Sequence, residues 1–138
     1  MTHRLNPYLS FRDNAREAME FYQSVFGGEL TTSTFAELQA SADPAEADKI
    51  MHSQLETPEG LTLMGADTPN SMDFSPGNTM SVSLSGDDED VLRGYWEKLS
   101  AAGQVAMPLE KAPWGDSFGM CTDQFGVSWL VNISGTPS

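Results

Sequence analysis

The strongest constraint on this chain is that it spells the same order of elements twice. Residues 14–26, NAREAMEFYQSVF, place Ala15, Ala18, Met19, Tyr22, Val25 and Phe26 at helical spacing on one apolar face. Residues 87–102, DDEDVLRGYWEKLSAA, read as a second helix. Shifting the first helix by 73 positions brings Ala18, Met19, Tyr22 and Phe26 onto Val91, Leu92, Tyr95 and Leu99. Asn14, with Glu17 in a capping-box arrangement, then falls on Asp87, so each helix has a candidate N-cap. Gly27 and Gly28 stop the first helix, and Gly103 stops the second.

Strand signals flank both helices in matching order. PYLSF precedes the first helix; ELTTSTF, KIMHSQLET and LTLMGAD follow it, the last two split by the turn signal PEG. MSVSLS precedes the second helix; QVAMPLE, DSFGMCT and VSWLVNI follow it. EGLTLMG also resembles FGVSWLV, with Gly60 against Gly126. The predicted fold class is α+β: one domain over 1–138 built from two βαβββ repeats, about 5–68 and 79–134. SADPAEADK, residues 41–49, reads as a surface loop, and TPNSMDFSPGN as the linker between repeats. Each sheet must bury its helix-facing side. The other sides are therefore expected to form a curved, barrel-like mixed sheet around a central cavity, with the helices outside.

Composition narrows the function classes. The formal net charge is −13 with only seven Lys and Arg, which argues against a nucleic-acid partner or an anionic membrane surface. Cys121 is the single cysteine, so no intrachain disulfide can form and a reducing, cytoplasmic setting is expected. It lies in an apolar run and reads as a buried structural thiol. The start, MTHRLNPY, holds no apolar stretch of signal-peptide or membrane-spanning length.

Period-two alternation assigns side chains to faces. On the last strand Val127, Trp129, Val131 and Ile133 form the bulky side, leaving Ser128, Leu130 and Asn132 toward the cavity. Leu9 and Phe11 should face the helix, leaving Asn6, Tyr8 and Ser10 inward; Val82 and Leu84 should do so in the second repeat, leaving Thr79, Ser81 and Ser83 inward. Ile50, His52, Gln54 and Glu56 are placed on one side of their strand, and Met51, Ser53 and Leu55 on the other.

PYLSFRDNAREAMEFYQSVFGGEL, IMHSQLE and WGDSFGMCTDQFGVSWLVNI, together with the repeat, resemble the vicinal oxygen chelate superfamily of glyoxalases, extradiol dioxygenases and bleomycin- and fosfomycin-resistance proteins. The resemblance is to its PhnB-like branch, sometimes labelled a 3-demethylubiquinone methyltransferase. No glycine-rich G-x-G-x-x-G strand-to-helix turn is present to support that label. Metal-dependent members of the superfamily carry His or Glu on the first and last strand of each repeat. The resemblance implies a ligand four residues after each strand-opening glycine, where this chain has Met64 and Leu130. A family histidine would fall near Asn6 to Tyr8 and Thr79 to Ser81, where none occurs. No metal and no cofactor are therefore expected. His3 lies near the terminus and reads as solvated.

The expected ligand-binding residues are His52, Tyr8, Gln54, Met64, Trp114 and Leu130. His52 has two readings: a cavity-facing acid/base, or a structural histidine at a sheet edge. Trp114 either stacks on a planar ligand or fills a rim or dimer contact. Asp123 reads as the cap of the turn before Gly126, and Asp116 as a polar site candidate. Met51, Met64, Met80 and Met120 suit an adaptable apolar lining or ordinary core. Three functions stay open. The first is a metal-free binding protein for an aromatic or amphiphilic small molecule. The second is an enzyme, either a lyase or dioxygenase with an atypical metal site including His52 and Glu56, or a metal-free isomerase. The third is an interaction protein with a vestigial cavity. Uncovered sheet edges lead to the expectation of a homodimer.

Overall fold

The computed structural model describes residues 3–39, 43–77 and 79–135. Residues 41 and 42 of the expected surface loop, and Asn78 of the expected linker, lie outside the described residues. The predicted order of elements is observed. It runs β1 (Tyr8–Phe11), α1 (Ala15–Phe26), β2 (Glu29–Thr34), β3 (Ile50–Glu56) and β4 (Thr62–Asp67). It repeats as β5 (Val82–Gly86), α2 (Glu89–Ser100), β6 (Gln104–Lys111), β7 (Ser117–Thr122) and β8 (Ser128–Ile133). A 3-10 turn, Pro44–Glu46, sits in the loop between β2 and β3. The chain divides into two compact units between Pro76 and Gly77, inside the predicted linker.

The strands form two four-stranded mixed sheets, ordered β1-β4-β3-β2 and β5-β8-β7-β6. The α+β class and the two βαβββ repeats are as expected, and the strands form two sheets rather than one closed barrel. In each unit the first strand pairs in parallel with the last strand of the same unit, β1 with β4 and β5 with β8. The remaining pairs are antiparallel neighbours, so the ladder of each unit is completed within that unit.

In the first unit, α1 packs against β2, β3 and β4. Its buried residues are the six of the predicted apolar face, with Met19 and Tyr22 fully enclosed. Burying a side chain the size of Met19 is worth about 1.5–3 kcal/mol. The sheet face beneath is Phe11, Ser53, Leu55 and Leu63, all buried. Gly65 sits under the helix, where a Cβ would come within 3.1 Å of Met19 Sδ.

Two local expectations are corrected here. The Asn14 side chain makes no capping bond; Asp67, from the end of β4, accepts instead from Ala15 N at 2.9 Å. The other Asp67 oxygen accepts from Ile50 N, also at 2.9 Å. One buried carboxylate thus ties the helix start to the strand start. Ile50 also does not share a side with His52. Ser33 pairs with His52 and Thr34 with Ile50, so Met51 is the extra residue of a β-bulge. The bulge turns Ile50 into the core and leaves Met51 39% exposed.

In the second unit, α2 packs against all four strands. Its cap is Asp88 rather than Asp87, accepting from Val91 N at 3.2 Å. The helix therefore starts one residue later than expected. Leu92 and Leu99 are its buried residues, and Val91 is on the exposed side. Trp96 takes the place beside them, its ring lying over Gly119 of β7. Edge strand β6 shifts register twice against β7, between Val105 and Met107 and between Met107 and Glu110. Pro108, which has no N–H for a ladder, sits in the second irregularity.

Candidate functional site

Each unit has one sheet face under its helix and one face away from it. In the first unit the register builds a cross-strand row on the helix-free face: Tyr8 pairs with Met64, Met64 with Gln54, and Gln54 with Thr31. His52 lies on the same face of β3, opposite Ser33. Its ring centroid is 6.1 Å from that of Tyr8, at a 35° tilt. The structure therefore brings together Tyr8, His52, Gln54 and Met64. Partial desolvation raises the Tyr8 phenol above its ordinary value, so it is a neutral donor at physiological pH. Gln54 Nε2 donates to Glu56 Oε1 at 2.6 Å, and Arg4 stands 3.9 Å from the same carboxylate. An open cleft of about 580 Å3 adjoins this row at the β3–β4 turn, with Arg4, Asn6, Glu56, Leu61 and Thr62 in its wall.

The helix-free face of the second unit is more apolar. Ser83 pairs with Leu130, Leu130 with Met120, and Met120 with Met107. Phe118, opposite Asn132, lies beside this row. Trp114, from the turn between β6 and β7, is 65% exposed and packs edge-on to Phe118, with centroids 6.1 Å apart. Leu130 and Trp114 thus belong to one face, linked through Phe118. Alternation alone did not single out Phe118, because its strand is punctuated by Gly119. The faces of β8 are as expected: Trp129, Val131 and Ile133 are buried, while Ser128, Leu130 and Asn132 are half-buried.

The two aspartates flanking β7 hold this unit together. Asp123 is buried and accepts from Phe125 N at 2.8 Å, Val127 N at 3.1 Å and the Trp129 indole Nε1 at 2.8 Å. It is the expected turn cap, and it also anchors the largest core side chain. Asp116 accepts from Asn132 Nδ2 at 3.0 Å and Gly135 N at 2.8 Å. These bonds, the Asn132 amide first, hold its carboxyl below the usual range. Burial pushes the Cys121 thiol up to about 11, with the Asp123 charge adding to the effect.

Among the described residues, no three or more His, Cys, Asp and Glu side chains are gathered to hold a metal ion. Among them, too, no helix is long and apolar enough to cross a membrane.

Comparison with known proteins places this geometry. Residues 3–132 match the family model described as 3-demethylubiquinone-9 3-methyltransferase. Protein YjdN of Escherichia coli K12 is 31% identical over 142 residues, covering 94% of each chain. The crystal structure of PA1353 from Pseudomonas aeruginosa superposes with a TM-score of 0.82 at 34% identity, covering 98% of this chain and all of that one. A Bacillus cereus PhnB protein, named a putative 3-demethylubiquinone-9 3-methyltransferase, gives a TM-score of 0.73 at 26% identity over 96% of this chain and all of that one. A glyoxalase/bleomycin resistance protein/dioxygenase superfamily member from Sphaerobacter thermophilus shares the fold, with a TM-score of 0.57 at 17% identity over 97% of this chain and all of that one. The chain belongs to the PhnB-like family described as 3-demethylubiquinone-9 3-methyltransferase, and it has the fold of the glyoxalase/bleomycin resistance/dioxygenase superfamily.

Proposed function

We propose that the chain is a metal-free binding protein for a small aromatic or amphiphilic molecule, working in the cytoplasm as a homodimer. One observation carries the reading. Met64 and Leu130, on the inner strands β4 and β8, occupy the same place in their two sheets, each in a row on the helix-free face. A thioether and an isobutyl group there favour apolar rings and disfavour a hard cation. Tyr8, His52 and Gln54 supply polar contacts in the first unit, and Trp114 supplies a stacking surface in the second. Each sheet, taken alone, ends on two edge strands, which favours pairing with a second copy.

A panel of aromatic compounds, followed by the thermal unfolding midpoint, tests the binding reading. Ligand at 100 times its Kd should add about 2.7 kcal/mol of stability, a rise of several degrees. A midpoint that no ring compound moves would refute it. Light scattering tests the homodimer, which a monomer at every concentration would exclude.

The Tyr8–His52 pair favours a second reading, an isomerase-like proton transfer on a bound substrate. The metal-dependent form of that alternative needs a stoichiometric transition metal in protein purified without added metal, which elemental analysis detects.

A further inference from the structure

The segment that joins the two units does not leave the first unit where β4 ends. Thr68 N donates to Phe11 O at 2.6 Å, which carries the β1–β4 pairing one residue further. Asn70 N donates to the buried Glu46 carboxylate at 2.7 Å, and the Lys49 ammonium donates to Asn70 Oδ1 at 3.4 Å. Asp13 at 2.6 Å and Glu46 at 3.8 Å hold Lys49 in place. Arg12, in the turn between β1 and α1, reaches across the segment. Its Nη2 donates to both Pro69 O and Met72 O, and its guanidinium lies 5.5 Å from the centre of the Phe74 ring. Met72 N closes the bend on Pro69 O at 3.0 Å. One side chain thus grips the segment at both ends of that bend and again at Phe74. Beyond it come Ser75, Pro76 and Gly77, all exposed, with Gly77 at a φ of +67°. The two units divide between Pro76 and Gly77.

The grip of Arg12 carries a cost. Its Nε is buried and, among the described residues, has no hydrogen-bond partner. A desolvated, unpaired N–H destabilises the state that contains it, and swinging the side chain outward returns it to water. Neither Arg12 nor residues 68–74 belong to the buried apolar core, so the grip can open while α1 stays packed on its sheet. We propose that residues 68–74 are a releasable strap, pinned to the first unit by Arg12, and that the strap sets the reach of the connection between the units. Fastened, it leaves residues 75–81, seven residues that span at most about 25 Å. Released, the connection becomes residues 68–81, fourteen residues that span at most about 50 Å. The strap stands whether or not the chain binds a small molecule.

Limited chymotrypsin digestion of the full chain reads the strap at Phe74, the second unit at the exposed Trp114 and opening of the first unit's core at the buried Tyr22. Arg12→Gln removes the pin. It should raise the cleavage rate at Phe74 at least about tenfold, the scale for losing hydrogen bonds from a charged donor, with the rates at Trp114 and Tyr22 unchanged. An unchanged rate at Phe74, or one that rises only in step with Tyr22, overturns the strap. Phe74→Ala keeps Arg12 and tests the same grip should the first variant fail to fold. Amide exchange at Met72 should then quicken several-fold while Leu55 in β3 keeps its protection. Exchange at Met72 equal to that of the unsubstituted protein overturns the strap as well.

Discussion

Asp67 and Asp123 show how much of a small unit can hang on one carboxylate. Both are buried, and both spend their oxygens on backbone and indole N–H groups. Replacing either with Ala leaves two or three buried donors without partners. Each substitution should cost about 2–4 kcal/mol, read as a lower urea midpoint at unchanged slope. Asp123 was legible as a turn cap because Phe125 and Val127 are its near neighbours in sequence. Its bond to Trp129 was not, since only the fold brings the indole round. Asp67 was illegible as a cap for a plainer reason: Ala15 lies 52 residues away. The local candidate Asn14 looked sufficient, and a distant carboxylate displaced it.

Cys121 gives a second test at this scale. Burial pushes its thiol up from an ordinary 9.0 to about 11. The native protein should therefore resist alkylation by iodoacetamide at pH 8 and react only on unfolding. The sign of the pH effect follows from the same shift. Between about 9 and 11 the unfolded chain loses a proton that the folded chain keeps, so stability from this group falls as pH rises through that window.

The helices were readable because amphipathic spacing is a local signal. All six apolar residues of α1 are buried as the pattern requires. For α2 the signal was blurred by one residue, since Asp87 and Asp88 are both competent caps and only geometry selects the second. One of its contacts with the sheet was also hidden. Trp96 stands over Gly119, where a Cβ would come within 2.9 Å of the ring and of Leu109 Cα. Gly119→Ala should destabilise the second unit by about 1–3 kcal/mol, because the backbone of β6 cannot yield as a side chain would. Gly94→Ala offers the contrast. It sits inside α2, a Cβ there would meet nothing within 4 Å, and the substitution should stabilise by up to about 1 kcal/mol. Chemical denaturation of both variants distinguishes packing from helix propensity. The bulge at Met51 was illegible at this scale, because period two assumes an unbroken register and a single extra residue moves Ile50 to the other face.

For the whole chain, the duplicated element order carried most of what could be read: among the described residues, eight strands, two α-helices and a boundary within the linker. Pairing could not be read the same way. Strand signals do not say which edge meets which, and the parallel pairs β1·β4 and β5·β8 complete two separate sheets. The candidate residues on β1 and β8 were legible as faces, through alternation, but not as neighbours. The contacts of Tyr8 with His52 and of Trp114 with Phe118 are products of register and turn geometry. The most direct test of metal-free binding is the thermal midpoint measured across an aromatic panel with and without a strong chelator. Metal-free binding requires at least one ring compound to raise the midpoint by the same several degrees in both conditions. A rise that disappears with the chelator, or no rise for any compound, would contradict it.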